Sequence, residues 1–172
     1  MRFMGRLSTQ TKLLLKARIE KTVSKRGKMK LDSKLIEAAI SYTQKRFPDV
    51  PGAGAAAMYT SAGELLISTA PGVVSSSVEL SHEVGAICEA YKLDQKVTAT
   101  VCVSRDEKGQ FHILTPCGVC QERLMFWSDE IECAVPSQKD STKWEMRTLK
   151  ELQPYYWRKP FKKMMGETSN SG

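Results

Sequence analysis

Apolar residues recur along the chain at two kinds of spacing, and each kind predicts a different element. Where they return every three or four positions the pattern predicts helices, over residues 35–47, 80–92, 117–126 and 146–153. Where β-branched and apolar residues alternate or run continuously it predicts strands, over residues 55–60, 64–69, 96–105, 111–115 and 131–136. Asp32 or Ser33 is the predicted N-cap of the first helix, because both side chains can accept a hydrogen bond from a free helical amide.

The order of these elements indicates the fold class. Helices and strands alternate from residue 31 to about residue 160, which predicts an α/β domain of three layers with a mixed sheet. A chain of 172 residues is long enough for one such domain with a real hydrophobic core. We therefore expect a single domain over residues 31–160, with a separate N-terminal extension over residues 1–30 and a C-terminal tail over residues 161–172.

Composition narrows the class of protein. Hydrophobic residues make up 41% of the chain and charged residues 26%, which is ordinary for a globular protein. No apolar run approaches the ~20 residues that a membrane span needs, and none resembles the core of a signal peptide. The five cysteines are an odd number in an otherwise ordinary chain, which argues against a disulfide framework. These features predict a cytoplasmic protein that is not bound to a membrane.

The net charge of +7 is located mainly at the N-terminus. Residues 1–30 hold ten Lys and Arg against one acid, Glu20, whereas residues 31–150 hold twelve against sixteen acids. A basic extension can bind a polyanion such as nucleic acid, or it can simply be solvated. The aromatic and basic segment 155–163 leaves two interpretations open as well. Its rings can stack on a single-stranded nucleic acid, or they can pack on the core beside solvated lysines.

Cys117 and Cys120 form a Cys-x-x-Cys motif directly after Pro116. Three residues of a helix bring the two thiols to one side, so that both can bind one zinc ion. Redox-active cysteine pairs use the same spacing, and the motif alone does not distinguish the two functions. The redox interpretation leaves Glu83, which lies 34 residues upstream, without a role.

Glu83 gives the cysteine pair a chemical context. Zinc-dependent deaminases carry His-x-Glu or Cys-x-Glu, followed by Pro-Cys-x-x-Cys. In these enzymes a zinc-bound hydroxide attacks the carbon that bears the amino group, and the glutamate transfers the proton. Residues 52–154, and in particular the segments GAGAAAMYTSAGELLIS, TPCGVCQERL and TLKELQP, resemble the cytidine deaminase family and its small blasticidin-S-deaminase-like members.

The resemblance implies specific expectations for the fold and the site. The fold would be the three-layer α/β/α fold of cytidine deaminases, with a mixed five-stranded sheet. Glu83 would be the catalytic proton shuttle, Cys117 and Cys120 would bind zinc, and position 81 would supply the third ligand. The substrate would be a small molecule, a cytosine-like nucleoside or a related heterocycle, and the chain would form a homo-oligomer. The substrate-binding residues are not identified by the resemblance.

Ser81 is where the sequence departs from the family pattern, which has Cys or His two residues before the glutamate. A serine hydroxyl is a poor zinc ligand. Three interpretations remain open at this stage. The site has lost its third ligand and its activity is impaired, or the neighbouring His82 replaces it, or another subunit supplies a group.

Two further classes of function therefore stand beside a zinc-dependent deaminase. One is a catalytically inactive binding protein with the deaminase fold. The other is a nucleic-acid-directed deaminase or binder that uses the basic segments. Among the remaining cysteines, we expect Cys88, Cys102 and Cys133 to be buried without a chemical role, and His112 is a remote candidate ligand.

Overall fold

A computed structural model describes residues 31–140 and 143–161. The predicted N-terminal extension over residues 1–30 and nearly all of the predicted tail over residues 161–172 lie outside the described residues. Within the described residues, no helix combines the length and the apolarity that crossing a bilayer would require.

The described residues form four α-helices and six strands. The helices are α1 (Ser33–Arg46), α2 (Val84–Lys92), α3 (Gly118–Leu124) and α4 (Leu149–Leu152). The strands are β1 (Gly54–Thr60), β2 (Leu65–Ser68), β3 (Val97–Arg105), β4 (Phe111–Leu114), β5 (Glu132–Pro136) and β6 (Trp144–Thr148). Short 3₁₀ turns lie at Ser76–Val78 and Lys159–Phe161.

The six strands form one mixed sheet. Its main order is β2-β1-β3-β5-β6, and β4 also pairs with β3. The β3–β5 pair is parallel, with Ala99 opposite Glu132, and the other pairs are antiparallel. Because β3 pairs with β1, β4 and β5, it is the central strand that connects the two halves of the domain.

Helices cover both faces of this sheet. One face carries α1, whose residues Leu35 and Ala39 pack in a cluster with Val101 and Val103 of β3. The other face carries α2 and α3, in a cluster that includes Ile87 of α2 and Leu124 of α3. Every residue of β1 is buried, as expected for a strand that is covered on both sides. The predicted three-layer α/β/α fold with a mixed sheet is confirmed.

Two element predictions were wrong in detail. Residues 144–148 form the strand β6, although residues 146–153 were predicted as one helix, so the sheet has six strands and not five. Pairing along β5 gives these residues the hydrogen bonds that a helix would otherwise supply. The second helix begins at Val84 and not near residue 80, because Val78 and Leu80 are exposed and do not pack against the sheet.

A partly buried hydrogen bond joins the start of α1 to the sheet. Asp32 is the N-cap, as predicted, and its Oδ1 accepts from the Leu35 amide at 3.0 Å and from the Tyr59 hydroxyl at 3.0 Å. Burial, together with this bond to Asp32, raises the pKa of Tyr59 to about 12. The hydroxyl therefore holds its proton more tightly in the folded chain than in the unfolded one.

We therefore expect the protein to become less stable at high pH, because the Tyr59 hydroxyl loses its proton there. The raised pKa stabilises the fold fully below the ordinary tyrosine pKa of about 10, and this contribution is lost as pH rises to about 12. The full contribution of Tyr59 to the free energy of unfolding is roughly 2–3 kcal/mol, because its pKa rises from about 10 to about 12. We expect Tyr59→Phe to remove this part of the pH dependence, as measured by urea unfolding at about pH 9 and about pH 11.5. If the free energy of unfolding fell between the two pH values by the same amount in Tyr59→Phe as in the unmodified protein, Tyr59 would not be the source of this pH dependence.

Candidate active site

The segments that lead into α2 and α3 bring the predicted site residues together. Glu83 is the residue immediately before α2, and Cys117 is the N-cap of α3. The two helices pack against the same face of the sheet, which places their first turns side by side. Residues from two distant parts of the sequence therefore meet at one end of the helical layer.

Ser81, Cys117 and Cys120 form a compact group. The Ser81 hydroxyl lies 3.2 Å from the Cys117 sulfur and forms a hydrogen bond with it. The Cys120 side chain lies close enough to Ser81 and to Cys117 for both to influence its pKa. Cys117 is exposed whereas Cys120 is fully buried, so the group lies at the surface with one sulfur beneath it.

Glu83 is a buried carboxyl group beside this cysteine pair. Only 3% of its surface is exposed. Burial raises its pKa, although its own backbone amide and the thiols of Cys120 and Cys102 form hydrogen bonds that favour the charged form. A carboxyl group with a raised pKa that lies beside possible reacting groups is suited to accept and return a proton near neutral pH.

The two thiols of the motif differ in acidity. Burial acts to raise the pKa of Cys117, but the hydrogen bonds from the Ser81 hydroxyl and the Cys120 amide outweigh it and lower the pKa overall. Burial and the nearby Glu83 charge raise the pKa of Cys120 to about 12. One thiol therefore ionises more readily than an ordinary cysteine and the other less readily.

His82 faces away from the cysteines. Its Nδ1 accepts a hydrogen bond from the Ala70 amide at 3.1 Å and lies 3.3 Å from the Thr69 hydroxyl. Its Nε2 points towards Gly54 at the start of β1. Burial lowers its pKa, which favours the neutral ring. This geometry does not support the interpretation that His82 replaces Ser81 as a ligand.

Gly54 makes room for the His82 ring. A Cβ atom at residue 54 would lie 2.3 Å from the Val103 carbonyl oxygen and 2.7 Å from His82 Nε2. We expect Gly54→Ala to destabilise the fold by about 1–3 kcal/mol, because backbone and ring would both have to move. Gly72→Ala is the matched control, since a Cβ atom there would meet nothing within 4 Å. Thermal unfolding of the two variants compares them, and equal stabilities would contradict this packing.

Cys102 was missed as a neighbour of the site. Its burial was expected, but its contact with Glu83 was not. The available signal was the alternation along β3, which directs Val101 and Val103 to α1 and therefore Cys102 to the opposite face. A thiol below the carboxyl group can help to fix its orientation.

The other candidates are Cys88, Cys133 and His112, and none completes a group of three His, Cys, Asp or Glu side chains around a metal ion among the described residues. Cys133 is buried, as expected. The expectation that Cys88 is buried was wrong, because its position on α2 faces outward. His112 lies on β4, where its Nε2 is 2.9 Å from Asp106 Oδ2.

The aromatic segment after α4 is only partly packed. Tyr156 contacts the core cluster below α2 and α3, and its hydroxyl donates to Glu122 at 3.0 Å. Tyr155 is 95% exposed and Trp157 is 63% exposed, so the interpretation that all three rings pack on the core was wrong. Arg158 lies over the Trp157 ring, with its guanidinium carbon 5.5 Å from the ring centre.

The donor set fits zinc in part. Two thiols and a hydroxyl converge, and the thiols are the ligands that zinc prefers. Among residues 31–140 and 143–161, no group of three His, Cys, Asp or Glu side chains is arranged to hold a metal ion. The Ser81 oxygen is therefore the weakest of the three zinc donors, and any zinc held by this chain would depend mainly on Cys117 and Cys120.

Comparison with known proteins supports a relationship with deaminases. No protein-family model matches the sequence, and no curated protein does either. The solved structure of the cytidine deaminase from Bacillus anthracis is 38% identical, with a TM-score of 0.70, and the match covers 78% of this chain and 94% of that one. The cytidine deaminase from Mycobacterium leprae is 22% identical, with a TM-score of 0.53 and 71% and 96% coverage. The cytidine deaminase from Burkholderia pseudomallei is 19% identical, with a TM-score of 0.53 and 73% and 98% coverage, and these two matches support the fold alone.

Proposed function

This chain belongs to the cytidine deaminase family, and on that basis we propose that it is a zinc-dependent aminohydrolase that deaminates a cytosine-like nucleoside or a related heterocycle. The observation that carries the proposal is the convergence of Ser81, Cys117 and Cys120 beside the buried carboxyl group of Glu83. The reaction replaces the exocyclic C–N bond with a C=O bond, consumes one water molecule and releases ammonia.

Cys117 and Cys120 would hold the zinc ion, with the Ser81 oxygen as the third protein donor. When bound, zinc lowers the pKa of a water molecule and so supplies a nucleophile at neutral pH. The Ser81 oxygen lies 3.2 Å from the Cys117 sulfur, which is close to where a third donor would be needed. A neutral hydroxyl contributes less to zinc affinity than a thiolate, and we therefore propose a site of reduced affinity.

Glu83 would transfer the protons. Its carboxylate accepts a proton from the attacking water and returns it to the ring nitrogen or to the departing amino group. Burial of the carboxyl group raises its pKa above the ordinary value, which suits a group that must both take up and release a proton. The thiols of Cys102 and Cys120 would keep the carboxylate oriented during the transfer.

We propose that the chain acts as a homo-oligomer. Tyr91 at the end of α2 and Phe126 after α3 are each 67% exposed, and their rings form an edge-to-face pair with centres 5.7 Å apart. Exposed aromatic pairs are common at subunit contacts. A second subunit would cover such surfaces.

A catalytically inactive member of the same fold is the alternative function. The observation that favours it is the position of Ser81, which leaves the described residues without three strong metal ligands. Such a protein would bind a cytosine-like molecule without converting it. The two functions differ in ammonia release when zinc is present.

The test is a deamination assay with zinc in slight excess. Cytidine, deoxycytidine and cytosine would be supplied separately, with adenosine as the purine control, and ammonia would be measured. We expect ammonia from at least one cytosine compound and none from adenosine. Binding of cytosine compounds to zinc-loaded protein without any ammonia release would support the inactive alternative and reject the proposed activity.

A further inference from the structure

Arg105, the last residue of β3, is a buried cation that the proposed reaction does not use. Only 7% of its surface is exposed. Among residues 31–140 and 143–161, no carboxylate forms an ion pair with it. A buried charge is costly unless it is paired, so an unpaired arginine indicates a missing counter-charge.

The contacts of Arg105 hold its guanidinium in one place. Its Nη1 donates to the Phe47 carbonyl oxygen at 3.2 Å, and its central carbon lies 5.0 Å from the centre of the Phe111 ring. A guanidinium has five N–H donors in a fixed planar arrangement. Within the described part of the chain, one side-chain hydrogen bond leaves most of the donors available, and the Phe111 ring lies beside the group.

Arg105 lines a hollow of about 510 Å³ between the end of α1 and the β3–β4 hairpin. Val103, two residues earlier on the same strand, packs against the α1 cluster, so Arg105 is on the α1 face of the sheet. Cys102 contacts Glu83 on the opposite face. The hollow is therefore separated from the candidate active site by the sheet.

The acidic residues around the hollow restrict the ligand that it can take. Asp106 is already engaged, since its Oδ1 accepts from the amides of Lys108 and Gln110 and its Oδ2 is paired with His112. Asp49 and Glu107 also line the hollow and are exposed. Lys108 lines the hollow as well, so the free charges beside Arg105 are two negative and one positive. This net negative balance would repel a doubly charged anion such as phosphate and would attract an ammonium group.

We propose that Arg105 anchors a binding site for a small monocarboxylate, in particular one that also carries an ammonium group. The carboxylate would accept hydrogen bonds from the free N–H donors of Arg105, in the planar arrangement that suits this pair. The ammonium group would face Asp49 and Glu107. This site is independent of the proposed deaminase activity.

The test is a titration of the full-length protein, followed by amide and arginine side-chain resonances in nuclear magnetic resonance spectra. The probes are acetate, glycine and inorganic phosphate, at matched ionic strength. We expect saturable shifts at Arg105 and in residues 106–111 with acetate and glycine, and tighter binding of glycine. Arg105→Lys should weaken glycine binding by about tenfold or more, because lysine lacks the planar fork. Arg46→Lys is the matched control and should bind like the unmodified protein, since Arg46 does not line the hollow.

Several results would overturn the proposal. The first is that acetate and glycine produce no saturable shifts in the unmodified protein. This result does not depend on whether any variant folds. Phosphate could bind more tightly than either carboxylate, or Arg46→Lys could weaken binding as much as Arg105→Lys. A change in oligomeric state with Arg105→Lys, without carboxylate binding to the unmodified protein, would assign Arg105 to a subunit contact instead.

Discussion

Glu83→Gln should lower kcat for deamination by about 10²–10⁴-fold, the usual contribution of a general acid–base group. Glutamine keeps the shape of the side chain and can still form hydrogen bonds, but it cannot accept and return a proton at neutral pH. The zinc content should not change, because Glu83 is not among the proposed ligands. Steady-state ammonia release and elemental analysis of the same preparation measure both quantities.

Glu79→Gln is the control for this result. Glu79 is an exposed carboxylate four residues before Glu83, and it makes the same change in net charge when replaced. We expect this variant to retain nearly all of the activity. If Glu83→Gln remained as active as Glu79→Gln, Glu83 would not be the proton shuttle. If Glu83→Gln lost zinc as well as activity, its role would be in metal binding and not in proton transfer.

Ser81→Cys should raise zinc affinity by about 100-fold or more. Groups that only support a metal ligand already change affinity by about 10–100-fold, and this substitution adds a ligand. The position is suitable, because the Ser81 side chain already contacts the Cys117 sulfur. A thiolate in place of the hydroxyl would complete a set of three strong ligands with an open fourth position. Competition with a chelator of known affinity measures the change.

Two further variants define the role of Ser81. Ser77→Cys adds a thiol at an exposed position in the same loop and should leave zinc affinity unchanged. Ser81→Ala removes the oxygen and should weaken zinc binding if that oxygen is the third donor. Equal affinity of Ser81→Cys and the unmodified chain would mean that the metal, if bound, does not lie between Ser81 and the cysteine pair.

The sequence predicted the layers of the fold well but not every element. The strand β3 is rich in β-branched Val and Thr, and this composition favours a strand over a helix. Residues 146–153 carry Met146, Leu149 and Leu152 at a spacing that suits a helix, and the strand β6 arises only from pairing with β5. Pairing with another strand is not visible in the periodicity of one segment, and the sixth strand was therefore missed.

The candidate site was predictable where spacing determines geometry. Cys117 and Cys120 are three residues apart, so their proximity follows from local structure. The contact of Glu83 with Cys102 depends on how α2 lies over β3, which the sequence alone does not specify. The same limit applies to His82, since its orientation is set by Ala70, Thr69 and the space at Gly54.

The zinc content of the purified chain tests the central claim most directly. Elemental analysis would be made on the unmodified protein, on Cys117→Ser and on Ser81→Cys, all after the same dialysis. The proposed site predicts up to about one zinc ion per chain in the unmodified protein, a clear loss in Cys117→Ser, and full retention in Ser81→Cys. Absence of zinc from both the unmodified protein and Ser81→Cys would contradict a metal site at these residues, and with it the proposed reaction.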